Sequence, residues 1–331
     1  MATYAIRRLL LMIPTLVLVT LIVFFSVRFI PGNVIDLMMA QMTEEAGAKD
    51  IAAMEADIRH KLGLDVPVHI QYGRWLGIVR QEDGNIHGIF QGNLGDSLWR
   101  KVPVKEEILQ RLPVTLELGA FGIITALILA LPIGVYSAIR QDTGGDYLGR
   151  TIAILAISLP SFWVGTMVVV YPSIWWGWAP AMEYINPAQN LPANLIQFLI
   201  PGIIMGMLTS GSTMRITRTM MLEVLRQDYI RTAWAKGLSE RTIIVRHAMK
   251  NALIPVVTVI ALRVPLLIGG TVVIETIFSL PGIGRLLVDA LNKRDYPIIS
   301  GINLMLAVFV LLMNLLVDLT YGYLDPRVVY K

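Results

Sequence analysis

The 331-residue chain contains no cysteine, which excludes disulfides, thiolate nucleophiles and thiolate metal sites together. Charge is thin as well: 28 Lys and Arg against 24 Asp and Glu, 16% of the residues and a net +4. That balance identifies no partner by itself and gives no ground for nucleic acid as one. Four histidines are present, His60, His69, His87 and His247. None forms a metal-spaced pair on a helix face, so no built-in metal site is expected. No Gly-x-x-x-x-Gly-Lys occurs, so this chain has no P-loop to cradle ATP phosphates. Gly95-Asp96-Ser97-Leu98 carries the four letters of an esterase signature. A nucleophile needs a positioned base, and the candidate pair, Asp57 and His60, precedes Ser97 instead of following it. No enzyme is expected. Neither an internal repeat in residue identity nor a low-complexity tract is visible.

What the chain has in abundance is apolar sequence: 55% of its residues, with a mean hydropathy of +0.63. That composition fits a multi-span membrane protein and not a soluble domain. Residues 9–30 form a run long enough for a hydrocarbon core of about 30 Å. The run is too long for a cleaved signal and is followed by Pro31-Gly32, so it reads as a retained first span. Arg7 and Arg8 before it should hold the N-terminus inside, and Arg28 at its outer end can snorkel to the interface. Further spans are expected at 114–139, 151–172, 195–214, 252–278 and 298–321. Pro132 and Pro160 are tolerated inside the second and third, since neighbouring helices can satisfy the freed carbonyls.

Residues 31–111 are polar and hold no span, so they form an expected extracytoplasmic domain. Thr43 before Glu44 and Glu45 reads as a helix start. Ile51, Met54, Ile58 and Leu62 then make an apolar stripe ending at Gly63. The loop 173–193 carries Trp175, Trp176, Trp178 and Tyr184 without a Lys or Arg, an aromatic belt that belongs outside. With six spans and both ends inside, the cytoplasmic pieces hold 14 basic residues: Arg7, Arg8, Arg140, Arg150, eight between 215 and 250, Arg327 and Lys331. The two short outer loops hold three, Arg285, Lys293 and Arg294. The long outer segment is exempt from that comparison, and the bias supports the topology.

The segment from Arg215 to Pro255 is basic and amphipathic and reads as helix, turn, helix. Leu222, Leu225, Tyr229 and Ala233 recur at helical spacing, giving one apolar face. Gly237 falls where a helix would stop in a left-handed cap. Ser239 can cap the next helix, with Glu240 in its first turn. Ala233 and Gly237, one turn apart with almost no side chain, leave room for a partner's backbone.

Asp228-Tyr229-Ile230-Arg231-Thr232-Ala233-Trp234-Ala235-Lys236-Gly237-Leu238-Ser239-Glu240, followed by Arg246-His247-Ala248 and Asn251-Ala252-Leu253-Ile254-Pro255, resembles the cytoplasmic signature loop of binding-protein-dependent ABC importer permeases. More closely, it looks like the branch that carries dipeptides, oligopeptides and nickel. Trp234 stands where smaller or basic residues are usual in that family. Gly92 to Leu98, Gly177-Trp178-Ala179-Pro180, and the series from Glu275 through Pro281-Gly282-Ile283-Gly284-Arg285 to Pro297 also resemble that branch, with 81–90 as a local insertion. The chain ends in Leu324-Asp325-Pro326-Arg327, in the family manner.

The resemblance implies an all-α membrane protein with six transmembrane helices in the type I ABC importer fold, with an extracytoplasmic α-rich insertion between spans one and two. Residues 1–111 would be the first span and outer domain, 112–322 the core with coupling loop 215–252, and 323–331 a cytoplasmic tail. It implies a multi-pass chain in the inner membrane, a second homologous permease, two ATPase subunits that bind ATP and Mg, an extracytoplasmic solute-binding protein, and lipid around the spans. Asp228, Arg231, Ala233, Trp234, Lys236, Gly237, Leu238 and Ser239 would contact the ATPase. The solute stays open among dipeptides, longer peptides, nickel chelates and glutathione-like molecules, as does whether the sister permease is distinct. A secondary transporter would need an intramembrane acid relay or inverted repeats, and neither is visible.

Arg263 lies inside the expected fifth span. A cation there costs about 2.5–3.5 kcal/mol on insertion scales, so it should face a cavity or a partner. It either bonds Asp318, Glu117 or carbonyls freed by Pro265, or it lines the solute path and suits a carboxylate. Glu275 and Asp318 are expected to make structural contacts.

Overall fold

The computed structural model describes residues 2–29, 63–82, 84–181 and 183–324, together with positions 35, 39, 55, 56 and 58–60. Among these, every regular element is helical, and extended backbone pairs only in an isolated bridge between Asp96 and Pro103. The α-helices are α1 (Ala2–Arg28), α2 (Val68–Leu76), α3 (Val104–Ile139), α4 (Gly144–Ser158), α5 (Ser161–Trp176), α6 (Leu191–Leu225), α7 (Asp228–Ala235), α8 (Glu240–Thr242), α9 (Met249–Ile277), α10 (Ile283–Lys293) and α11 (Tyr296–Leu324), with a 3-10 turn at Ile89–Gln91 and a π-helix at Ile243–Ala248. Five helical stretches are long and apolar enough to cross a membrane, or six if α4 and α5 together form one span. The proposed helix start at Thr43, Ile51, Met54 and Leu62 of the stripe, and the tail from Asp325 lie outside the described residues.

Pro132 is accommodated within α3, as expected. The third span differs from expectation. It is not one helix but two, α4 and α5, meeting at 89°. Leu159, held extended with ψ 122° before Pro160, ends α4. The ring of a proline disfavours helical backbone in the residue before it, and Pro160 has no N–H to continue the ladder. Both α3 (36 residues) and α6 (35 residues) are longer than a bilayer needs. At 1.5 Å per residue each runs to about 50 Å, so the fourth expected span, 195–214, continues well into what composition had marked as loop.

The chain divides into two compact units. The larger comprises Met1–Ala5, Pro113–Arg285 and Val310–Lys331. Its core is built from Val114 and Leu118 on α3, Phe198, Ile204 and Met205 on α6, and Ile274 and Phe278 at the end of α9. The helices approach to backbone contact where side chains vanish: a Cβ on Gly211 would lie 2.3 Å from the Ala153 carbonyl oxygen. Glu275 is fully buried. Its carboxylate accepts from the Thr115 hydroxyl at 2.7 Å and from the Arg285 amide at 3.0 Å. The same hydroxyl oxygen accepts from the Ile283 amide at 2.8 Å. These bonds shape the turn after α9, the structural role expected of Glu275.

The smaller unit comprises Ile6–Leu112 and Leu286–Phe309. Phe24 of α1 packs edge-on to Tyr72 of α2, centroids 5.1 Å apart. Arg28 folds back over the Phe24 ring and donates to Gln71 instead of reaching outward. The helix around Ile58 stops at Gly63, φ +62°, where the amides of Gly63 and Leu64 bond the carbonyls of His60 and Arg59. Ser97 is buried, and its hydroxyl donates to Asp295 at 2.5 Å. The other oxygen of the same carboxylate accepts from the Leu98 amide at 3.2 Å, so Asp295 ties residues 97 and 98 to the turn before α11.

Replacing Glu275 by Ala should leave the Thr115 hydroxyl and Arg285 amide unpaired in a dry site, at about 1–3 kcal/mol each. We expect Glu275→Ala to lower the unfolding midpoint of the detergent-solubilised chain, with Glu275→Gln intermediate because it keeps one acceptor oxygen. Equal midpoints for all three forms would remove Glu275 from the structural role.

Candidate functional site

The stretch from Arg226 to Asn251 carries most of the site residues expected from sequence. A two-residue break, Arg226-Gln227, separates α6 from α7 and is closed by amide bonds back to Glu223 and Val224. Asp228 then sits in the first turn of α7, where a carboxylate meets the positive end of the helix dipole. The helix stops at Gly237, φ +73°. The Gly237 amide bonds Trp234 O at 2.9 Å and the Leu238 amide bonds Ala233 O at 3.4 Å. This paired closure is the Schellman arrangement. Ser239 follows as N-cap of α8, accepting from the Thr242 amide. A Cβ on Gly237 would meet nothing within 4 Å, so within this chain the residue is required by its backbone angle and not by crowding.

One face of α7 is buried and the other is open. Ile230 and Ala233 pack against Ala138 of α3, Met221 of α6, and Ile243, Ala248 and Ala252. Asp228, Arg231, Trp234, Lys236, Leu238 and Ser239 are exposed, as is Gly237. The apolar stripe is therefore not the one read from spacing. Leu222 and Leu225 point toward this cluster, but the break at Arg226-Gln227 resets the helical phase. Tyr229 turns outward and Ile230 takes its place. Ala233 faces inward, and its small side chain lets α7 lie close on its neighbours. Ile230 and Ala233, three apart and counted from the Asp228 start, carried the correct signal.

Two side-chain bonds tie this segment down. Asn251 donates to the Tyr229 hydroxyl at 2.8 Å, joining α9 to α7. Arg140, just past α3, pairs with Glu240 at 3.2 Å. Between α8 and α9 the backbone forms a π-helix, Ile243–Ala248. Its wider turn brings residues five apart, Ile243 and Ala248, onto one inward line; an α-helix would rotate the second away.

Arg263 lies in α9 apart from these residues. It donates to the Ser212 hydroxyl on α6 and borders a small void with Ile123, Thr209, Thr213 and Ile260. Glu117, one expected partner, accepts instead from Tyr184 at 3.0 Å. Burial, with Glu117 beside it, pushes the Tyr184 phenol up to about 12. In the smaller unit, a cavity of about 730 Å³ is bordered by Trp75, Arg74, Glu82 and Tyr296. Two of its lining residues, His60 and Glu82, and the neighbouring Asp65 bring ligand atoms within 4.8 Å of one another, all three exposed. Arg74 donates to Glu82 at 3.0 Å. His60 and Asp65 were not paired by sequence reasoning, because only the stop at Gly63 folds them together.

Family comparison accounts for nearly the whole chain. Residues 130–330 match the binding-protein-dependent transport system inner membrane component, and residues 1–119 its N-terminal counterpart. The chain belongs to this family. Among curated relatives, it is 38% identical to the dipeptide transport system permease protein of Alkalihalophilus pseudofirmus and 37% to the oligopeptide transport system permease protein of Bacillus subtilis. It is 36% identical to the glutathione transport system permease protein of Salmonella paratyphi A. Each alignment covers 100% of both proteins. The fold resembles the crystal structure of an amino acid ABC transporter with histidines, TM-score 0.52 at 11% identity, over 66% of this chain and 94% of that one. The family places the chain among multi-pass permeases of the inner membrane.

Gly237→Val should unseat the C-terminal cap of α7. Left-handed backbone costs an L-residue about 1–2 kcal/mol, and a β-branched one more. We expect amide exchange across 234–239 to speed up about five- to thirtyfold, with exchange in α6 and α9 unchanged. Unaltered exchange at these amides would mean the cap does not depend on glycine.

Proposed function

We propose that this chain is one half of the transmembrane channel of an ABC importer for di- and oligopeptides or a closely related solute. The observation that carries the reading is full-length similarity, at 36–38% identity, to permeases of dipeptide, oligopeptide and glutathione transport systems. In this reading a second permease completes the channel, two ATPase subunits bind and hydrolyse ATP with Mg, and an extracytoplasmic binding protein delivers the solute. The permease itself is non-catalytic. Six spans, with α4 and α5 counted as one bent crossing, put both termini in the cytoplasm and the 31–111 segment outside.

The exposed side of α7 is the surface we assign to the ATPase. An apolar Trp234 and Leu238 stand there beside Asp228, Arg231 and Lys236, with the bare backbone of Gly237 between them. Aromatic and Arg side chains are what interface centres favour, and Gly237 leaves space for a partner backbone. The inward face is spent on the permease's own core. A displacement of the ATPase pair would therefore move α7 together with the helices it packs on, giving alternating access.

Arg263 is the candidate for contact with the solute. A guanidinium carries five N–H donors, and the hydroxyl of Ser212 satisfies only part of that capacity. A solute carboxylate would complete it. The complex reconstituted in liposomes should take up a labelled dipeptide such as alanyl-alanine when supplied with its binding protein and ATP. Unlabelled oligopeptide and glutathione as competitors then distinguish the solute classes. Arg263→Gln should assemble normally yet reduce uptake of the free dipeptide more than of its C-terminal amide. Failure of the variant to assemble would make Arg263 structural, and an unsubstituted complex that takes up no peptide would overturn the function.

The absence of native cysteine makes topology directly testable. Asn85→Cys should react with an impermeant maleimide in spheroplasts; reaction only after lysis would invert the proposed orientation.

A further inference from the structure

Asp146, in the first turn of α4, is fully buried. Its carboxylate accepts a two-pronged contact from Arg218 of α6, Nε at 3.0 Å and Nη2 at 2.9 Å. It also accepts from the Asp142 amide at 3.1 Å, and Arg150 Nε lies 3.4 Å away. One carboxylate thus closes the α3–α4 turn, anchors the start of α4 and grips α6. Buried ion pairs are poor sources of stability, since well-packed apolar replacements are often as stable or more so. What a planar fork on a carboxylate supplies is geometry, because both its bonds hold at one register only.

Register is what the neighbouring surface cannot supply. Along the same contact α6 presents Gly211 to the Ala153 carbonyl of α4, and α3 presents Gly134 to the Met214 carbonyl of α6. Ile157 and Thr217 border these glycines, but a surface built largely of glycine and backbone has little relief to resist sliding or rotation. Two turns beyond Arg218, α6 ends and the segment assigned to the ATPase begins. At the other side, α4 leads directly into the 89° bend with α5.

We propose that Asp146 and Arg218 form the positioning pair that carries displacement of the α7 segment, through α6, into α4 and the bent pair. The inference rests on the coupling role proposed above. In it the pair acts on neither solute nor nucleotide; it keeps α4 and α6 moving as one body during the cycle.

The test compares complete complexes in liposomes with alanyl-alanine as the probe. Arg218→Lys keeps the charge and removes the fork; Asp146→Asn keeps the size and removes the charge. For both, complex yield and basal ATP hydrolysis should stay within about twofold of wild type, while peptide taken up per ATP hydrolysed falls about tenfold or more. Asp146→Glu, which retains a carboxylate, should recover part of that ratio. In the cysteine-free chain, spin labels at Leu155→Cys on α4 and at the exposed Thr219→Cys on α6 give a second measurement that needs no solute. Their separation should stay fixed on trapping with ATP and vanadate when the fork is intact, and shift or broaden in Arg218→Lys. An unchanged uptake-to-hydrolysis ratio with unchanged label distances would overturn the proposal. So would a parallel loss of yield, hydrolysis and uptake, which marks a merely structural pair. A wild-type complex that hydrolyses ATP but takes up no peptide would count against the proposed function, and the label distances would still decide the coupling claim.

Discussion

A backbone amide inside hydrocarbon has no water to turn to, and the architecture follows from that constraint. Long unbroken helices satisfy the amides within themselves, which is why α3, α6, α9 and α11 dominate the chain. Side-chain hydroxyls within them close onto their own helix; Thr217 of α6 bonds the Thr213 carbonyl and Thr276 of α9 the Val272 carbonyl. Where a helix must stop, a partner is supplied. At the 89° bend the amide of Leu159 still bonds Leu155 and that of Val164 bonds Pro160. After α9, where the turn through Pro281 and Gly282 cannot form a ladder, Glu275 and Thr115 provide the acceptors.

The same constraint sets what could be read from the sequence alone. Apolar runs, the aromatic loop and the caps at Gly237 and Ser239 were legible because each depends on local chemistry. The bend at Leu159-Pro160 was misread because proline inside an apolar run is compatible with either a kinked or a broken helix. Pro132 and Pro160 look alike in sequence. They differ in what surrounds them: Gly134, two residues past Pro132, packs directly on Thr217 and Met214, and α3 continues unbroken there. The phase of α7 was lost for a related reason. Spacing measured from Leu222 assumes one continuous helix, and a break of two residues moved the inward line from Tyr229 to Ile230. Asp146 carries no signal in the sequence because an acid in a short turn looks solvated; its partner, Arg218, comes seventy-two residues later.

The family likeness and the geometry of α7 meet at a mechanical point. Eight residues are too few for a stable helix in water, so α7 exists because Ile230 and Ala233 are packed on α3, α6 and the π segment. A helix held in that way cannot tilt independently of its supports. The bonds from Asn251 to Tyr229 and from Arg140 to Glu240 reinforce the same attachment from α9 and α3. The segment is short, but mechanically it belongs to the helix bundle and not to a loose loop.

The outward side of α7 has the opposite character. Arg231 and Asp228 lie 3.5 Å apart with most of their side chains in solvent, 76% and 95% exposed. A pair so open contributes little to the fold, and its partners can be exchanged without loss to the permease. Trp234, half exposed beside it, gains nothing from this chain by standing there. In the proposed assembly, an open indole next to exchangeable charges suits an interface, whose centres are enriched in aromatic and Arg side chains. On that proposal the inward residues fix where the docking surface lies, and the outward ones are free to be selected for the partner.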